Sequence, residues 1–430
     1  MNYLKHLLDS KGAANLLGRA LMIYRRFGLT RKKSRRALER ILEITGKHGC
    51  TPTFFITADL LDHHRELLRK ISENGTHVGL HGHHHIDHAR MSGEVQSSEI
   101  ARGLQKFKAC NIPVSGFRGP FLRFNDETAK AVSNNAISWI SHSVMLFHEN
   151  ICLQAIDECS RARVLFENLY TQEFHEKQPS LPTWGPHCLE IPVSLPDDEL
   201  PVDRLGIRDP LKLTKIWLDM LEFSRREGEL CNFLFHPERM DFLAKALDAL
   251  LEKAVSYGDV WVTSLDDIAR WWQDRATFSF EMVETHPDVY KTTTSGNTRG
   301  SVAVQHPGGK MEFIKPGENG TFSVHTNLRP VVGISSASPD KDARFLANEG
   351  FAIEPNVDPS SCAFTLGNGR SRSGRQLMDA LKEARGPLLR FWRWPDRFVS
   401  ALAITADVDA ITLFDFVRRA RHFLRTKTGP

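Results

Sequence analysis

THVGLHGHHHIDH, residues 76–88, is the stretch from which the fold is read. Val78 and Leu80 alternate as in a short strand, and five histidines, His81, His83, His84, His85 and His88, follow within eight residues. A strand that releases imidazoles at its C-terminal end places them at the mouth of a sheet or barrel, where α/β enzymes hold metals and substrates. His81 and His85 are the candidate pair, because two neutral imidazoles four apart can converge on one divalent ion if the intervening turn curls. By itself the spacing is more often that of a solvated loop, and a pair needs a third ligand.

Outward from this stretch, strand and helix patterns alternate. Thr51–Thr57 (TPTFFIT), Thr76–Leu80, Val114–Phe117, Ile137–Ser141, Leu189–Pro192, Glu229–Phe235 and Val260–Val262 have strand character. Helical spacing covers Ser34–Thr45, Leu60–Ile71, Glu99–Cys110, Asp126–Asn134, Leu211–Arg226, Met240–Tyr257 and Leu265–Trp272. Residues 142–186 are aromatic and loop-like and fit neither pattern. Seven or so strands separated by helices predict a parallel (β/α) barrel, and His81, Arg118 and His236 each fall just past a strand end. At Ala276 the composition shifts: 277–334 is rich in Gly, Thr and Ser with short alternating runs, and 339–392 returns to α/β. FWRWP (Phe391–Pro395) is read as buried packing rather than an exposed aromatic platform. Near the C-terminus ALAIT (Ala401–Thr405) is a further buried-strand pattern, from which Asp407 and Asp409 emerge with alternate side chains.

With 430 residues, 41% of them hydrophobic and 25% charged, the chain has the composition of a globular protein too long for one ordinary core. A net charge of +4 is too small to argue for nucleic acid. Seven scattered cysteines without C-x-x-C spacing indicate a reducing compartment and no disulfide framework. The N-terminal sequence, interrupted by Lys5, Asp9 and Lys11, does not read as a secretory signal, and no run approaches a membrane span, so a cytoplasmic location is expected. Residues 13–26 form a basic amphipathic pattern that can lie on an anionic membrane, but packing on its own domain is the expected use.

Taken together, these motifs resemble the polysaccharide deacetylase family, carbohydrate esterase family four with the nodulation-factor deacetylase homology domain. TPTFFIT followed by ENGTHVGLHGHHH resembles the family's core, GFRGPF its R-x-P-aromatic motif, and LFHP (Leu234–Pro237) its L-x-H motif. The resemblance implies a distorted (β/α) barrel that removes N-acetyl groups from sugars with a divalent metal, zinc first and Co2+, Ni2+, Mn2+ or Fe2+ as other ions of that class. It implies Asp409, His81 and His85 as metal ligands, Asp407 as general base oriented by Arg118, and His236 as the acid that protonates the leaving amine. The backbone N–H of Phe121 would serve the oxyanion, beside Pro120 which has none, Leu234 would line the acetyl pocket, and Trp139 would floor the groove. Two departures stand out. Gly82 replaces the family's usual Ser or Thr after the first histidine. The paired-aspartate strand, first in the family, comes last here, so the chain resembles a circular permutant: 1–275 the main part of the barrel, 276–397 an inserted region, and 398–430 the displaced first strand and helix. A metal-dependent amidase acting on a non-sugar amide, and a degenerate glycan-binding barrel, are the competing expectations.

Overall fold

The computed structural model describes residues 23–147, 172–174, 177–207, 209–314, 320–367 and 369–426. Residues 13–22 of the basic amphipathic stretch, and 148–171 of the loop-like stretch, lie outside the described residues.

The principal sheet is built from strands β1 (Thr53–Ile56), β2 (His77–Leu80), β3 (Gly116–Phe117), β4 (Trp139–Ile140), β5 (Leu189–Glu190), β6 (Leu230–Phe235), β7 (Val260–Thr263) and β8 (Ser400–Val408). All eight run parallel, and the antiparallel strand Thr183–Trp184 pairs with β5 at one edge. The order β6-β8-β1-β2-β3-β4-β5 curls the sheet around an interior. Every one of the expected strands is present, and the parallel set numbers eight, counting β8, rather than about seven.

β8 is the hub. One of its edges pairs with β6, Leu230–Phe235 against Ala401–Ala406. The other is shared: Ser400–Ala403 pair with β7 and Thr405–Val408 with β1. Nine consecutive buried residues, most of them apolar, fit the position, because a strand of this kind is stable only where neighbours and helices cover both of its faces. Between β5 and β6 the gap is bridged by side chains: Asn232 donates from its backbone N to Ser194 Oγ and from Nδ2 to the Pro192 carbonyl, each at 2.9 Å.

Strand alternation sorts the side chains. Phe54, Ile56, Val78, Leu80, Phe117, Ile404 and Val408 face outward into the main core, under helices α1 (Lys32–Lys47), α2 (Leu61–Ser72), α3 (Gly93–Ala109), α4 (Asp126–Asn134), α5 (Pro210–Glu227) and α6 (Met240–Tyr257). α1 follows the expected spacing, burying Ala37, Leu38, Ile41 and Ile44. Inside, the lower part of the curl is filled by Phe55, Trp139, Leu230, Trp261, Ala401 and Ala403, which pack with α7 (Leu265–Arg275). A Cβ at Gly116 would collide with the Trp139 indole, so glycine there is the condition for the plug.

Residues 279–391 form small sheets and helices, as the alternating runs suggested. Ser279–His286 pairs with Val289–Ser295 and that with Thr321–His325; Val302–Gln305 lies between Met311–Ile314 and Leu388–Phe391; and Arg329–Ile334 lies parallel to Ile353–Pro355 and Cys362–Thr365. FWRWP is buried: Trp392 and Trp394 are 8% and 0% exposed. Glu349 ties this part together, accepting from Arg390 Nη2 at 2.6 Å and Arg393 Nε at 2.8 Å. No helix among the described residues is long and apolar enough to cross a membrane.

Candidate metal and active site

The C-terminal ends of β2, β3, β4, β6 and β8 converge on one buried cluster. Strand phase explains which side chains meet. β8 and β1 are registered with Phe55 opposite Asp407, and β2 and β3 with Leu80 opposite Phe117. The next residues, His81 and Arg118, therefore stand side by side at the end of the interior, with Asp407 beside Phe55.

His81 Nδ1 lies 2.8 Å from the Arg118 carbonyl. A carbonyl only accepts, so Nδ1 carries the proton and Nε2 presents its lone pair. That lone pair faces Asp409 Oδ1 at 3.3 Å and Asp407 Oδ2 at 3.7 Å. His85 Nε2 lies 3.1 Å from Asp409 Oδ2. Burial pushes His85 down to about 4, so it is neutral near pH 7. Burial pushes Asp409 up, but the fields of His85 and Arg419 outweigh it and hold the carboxyl well below its ordinary value.

His81, His85 and Asp409 thus offer three ligand atoms, all within 4.8 Å of one another. Zinc bonds of ~2.0–2.1 Å place neighbouring tetrahedral ligands about 3.3 Å apart, and each imidazole stands near that spacing from one of the two Asp409 oxygens, His81 at 3.3 Å from Oδ1 and His85 at 3.1 Å from Oδ2. Asp409 Oδ1 is buried without a hydrogen-bond donor. An imidazole lone pair facing a carboxylate oxygen is repulsive unless a cation lies between them, so the donor set fits a divalent ion.

The turn that brings His85 back beside His81 depends on Gly82. Its φ is +79°, and a Cβ would stand 2.7 Å from the His84 carbonyl. A Ser or Thr here would be strained, which accounts for the first departure from the family pattern.

Beside the ligands, Arg118 is completely buried. Its Nη1 donates to Asp407 Oδ1 at 2.9 Å and Thr405 Oγ1 at 3.0 Å, its Nε to the Ser141 carbonyl at 3.1 Å and its Nη2 to Ser141 Oγ at 2.9 Å. The guanidinium also stacks 4.1 Å over the Phe55 ring. Burial draws Arg118 below its ordinary value, opposed by Asp407.

His236, just past β6, accepts support from a residue that the strand-and-motif reading did not single out. Asp198 takes the His236 backbone N–H on Oδ2 and Nδ1–H on Oδ1, both at 2.6 Å, and Arg239 Nη1 at 3.2 Å. Burial pulls the imidazole down, but the Asp198 carboxylate outweighs it and holds His236 well above its ordinary value. The sequence signal was LPDDEL after Val193–Leu195: two carboxylates past a strand end, the same pattern used for Asp407 and Asp409. Burial and the Asp198 charge push Asp197 up to about 7. Arg419 of α8 (Leu413–Thr426), which reaches Asp409 Oδ2 at 2.7 Å, had no such signal.

Of the remaining expected site residues, Phe121 has φ +64° and its ring meets the His85 ring edge-on at 4.4 Å. Pro120 begins the same turn. Leu234, opposite Thr405 in the β6–β8 register, is 2% exposed. The reading of Trp139 as groove floor is corrected. Trp139 is 2% exposed, stands edge-on to Phe55, and donates from Nε1 to Asp266 Oδ1 at 2.9 Å. Asp266 also holds His77, at the start of β2, so Trp139 plugs the end of the interior away from His81.

Residues 32–139 match the family model for polysaccharide deacetylase. Solved structures similar to the chain include a Mycobacterium smegmatis protein assigned as a polysaccharide deacetylase, with 21% identity, a TM-score of 0.44 and coverage of 55% of this chain and 76% of that one. A Pseudomonas aeruginosa PAO1 protein with the same assignment has 17% identity, a TM-score of 0.45 and coverage of 56% and 74%. The allantoinase Puue has 18% identity, a TM-score of 0.44 and coverage of 55% and 72%. No curated protein matches the sequence.

Proposed function

We propose, from the match of residues 32–139 to the polysaccharide deacetylase family model, that the chain is a metal-dependent hydrolase that removes the N-acetyl group from an N-acetylated sugar or polysaccharide. The observation that carries this reading is the convergence of His81, His85 and Asp409 beside the Asp407–Arg118 pair. His81, His85 and Asp409 would hold the ion, most simply zinc. When bound, it supplies polarisation of the amide carbonyl and acidifies water to a pKa of ~7.

Everything else falls to the side chains. Asp407 takes the proton of the attacking water at the oxygen turned toward His81, while Arg118 holds the other oxygen and keeps the carboxylate oriented. The Phe121 N–H donates to the developing oxyanion; Pro120, without an N–H, only shapes the turn. His236, with Nδ1 committed to Asp198, delivers a proton from Nε2 to the departing nitrogen. Leu234 packs against the acetyl methyl group.

The position of β8 beside β1 supports the permutation reading. On it, 1–275 form the main part of the barrel, 276–397 an insertion, and 398–430 the displaced first strand and helix. The barrel itself is read as a distorted (β/α) barrel whose first strand is β8.

The test is acetate release from N-acetylglucosamine oligomers by metal-loaded and chelator-stripped protein, with small cyclic amides as the competing substrates. Metal-dependent acetate release from the sugars is expected. Ring opening of the cyclic amides without acetate release would favour the amidase, and glycan binding with no turnover of either substrate would favour a degenerate barrel.

A further inference from the structure

Two of the five histidines at the end of β2 turn away from His81 and His85. His83 and His84 meet Glu99, and together these three also bring one ligand atom each to within 4.8 Å of the others. Glu99 Oε2 lies 3.2 Å from His84 Nδ1 and 3.7 Å from His83 Nδ1. The two rings are 4.1 Å apart between centroids. These separations bracket the ~3.3 Å edge of a tetrahedral zinc site, as those of the first cluster do.

The position of Glu99 is the telling feature. The buried face of α3 is Gln96, Glu99, Ile100, Gly103 and Phe107, a helical stripe on which a carboxylate is out of place unless a cation accompanies it. Glu99 is 8% exposed, and Arg102 on the same helix pairs only loosely, at 3.8 Å, with its other oxygen, Oε1. A single carboxylate oxygen facing two imidazoles can hold one N–H well, and both ring nitrogens of His83 are buried without a hydrogen-bond partner. Nearby, Asp59 donates its backbone N–H to the His83 carbonyl at 3.0 Å, and its Oδ1 is likewise buried without a partner.

We propose that His83, His84 and Glu99 hold a second divalent transition-metal ion, of the zinc class that imidazole and carboxylate donors select. The site is distinct from the His81–His85–Asp409 cluster, because its ligands come from the other side of the same turn and from α3. Its effect is positional: an ion there fastens the histidine turn to α3 and so fixes the directions of His81 and His85. It needs no part of the deacetylase reading.

Protein without a polyhistidine tag is stripped with chelator, equilibrated with Zn2+, desalted and assayed for zinc per chain. Wild type is expected to retain two ions, Glu99→Gln and His83→Asn one each, the His81→Ala/His85→Ala double variant one, and the double variant combined with Glu99→Gln none. Thermal melts add a second measurement: Zn2+ should raise the melting temperature of the double variant and fail to raise it once Glu99→Gln is added. Zinc content unchanged by both Glu99→Gln and His83→Asn would overturn the proposal. A single ion lost with Glu99→Gln but kept by the His81/His85 variant would support this site and sink the catalytic one.

Discussion

Replacing Asp407 by Asn separates chemistry from structure at the centre of the proposed mechanism. The substitution keeps an oxygen that can accept from Arg118 Nη1, now 2.9 Å away, but removes the charge. Arg118 is 0% exposed, and its other acceptors, Thr405 Oγ1, Ser141 Oγ and the Ser141 carbonyl, are neutral. Breaking a buried ion pair from one side costs about 3–5 kcal/mol; with the acceptor retained, the lower end, about 3 kcal/mol, is expected in urea denaturation. Losing a general base lowers kcat by about 10²–10⁴-fold, equivalent to about 3–5 kcal/mol of barrier. The assay is acetate release at a urea-free temperature where circular dichroism shows the variant folded, with zinc content measured in parallel. Zinc should be unchanged, since Asp407 lies farther from His81 than Asp409 does. Adding Arg118→Met to Asp407→Asn should restore much of the stability, by removing the uncompensated charge, and none of the activity. Undiminished kcat in folded Asp407→Asn would remove Asp407 from the mechanism, and a stability loss that Arg118→Met deepens would refute the ion-pair account.

Two further predictions rest on other carboxylates. Asp198 holds His236 well above its ordinary value, and an acid works only while protonated, so activity should fall as pH rises through that raised pKa. Asp198→Asn should shift this alkaline limb of the kcat profile to lower pH, and a limb that stays put would show that His236 is not the group being titrated. Asp415 is pushed up by burial but brought down to about 2 by His64 and Thr412, whose ring and backbone donate to it at 2.8 Å. Because the folded pKa is the lower one, this stability is complete above the ordinary Asp value of ~4 and is lost as pH falls toward about 2. Asp415→Asn should therefore destabilise the neutral protein by about 2–3 kcal/mol and flatten acid unfolding in that window; an unchanged acid limb would count against it.

The sequence alone determined which residues end strands. Short β-rich runs, alternating in Thr76–Leu80 and continuously apolar in Glu229–Phe235 and Ala401–Thr405, are a local property, and with Thr51–Thr57 and Val114–Phe117 they put His81, Arg118, His236, Asp407 and Asp409 at strand ends. Family resemblance then suggested that the last strand belongs beside Thr51–Thr57, and the β1–β8 register agrees. What only the tertiary structure decided is where the curl of the sheet carries each side chain. Trp139 carried a motif-like position but lies at the far end of the interior, because its depth depends on strand register and on Asp266 in α7. Arg419 reaches Asp409 through the angle at which α8 leaves β8, which no spacing encodes. Glu99 reads in the sequence as one more helix carboxylate; only the packing of α3 on the histidine turn makes it a partner of His83 and His84. Strand phase is written residue by residue, whereas the neighbour across a curled sheet is fixed by the closure of the whole chain.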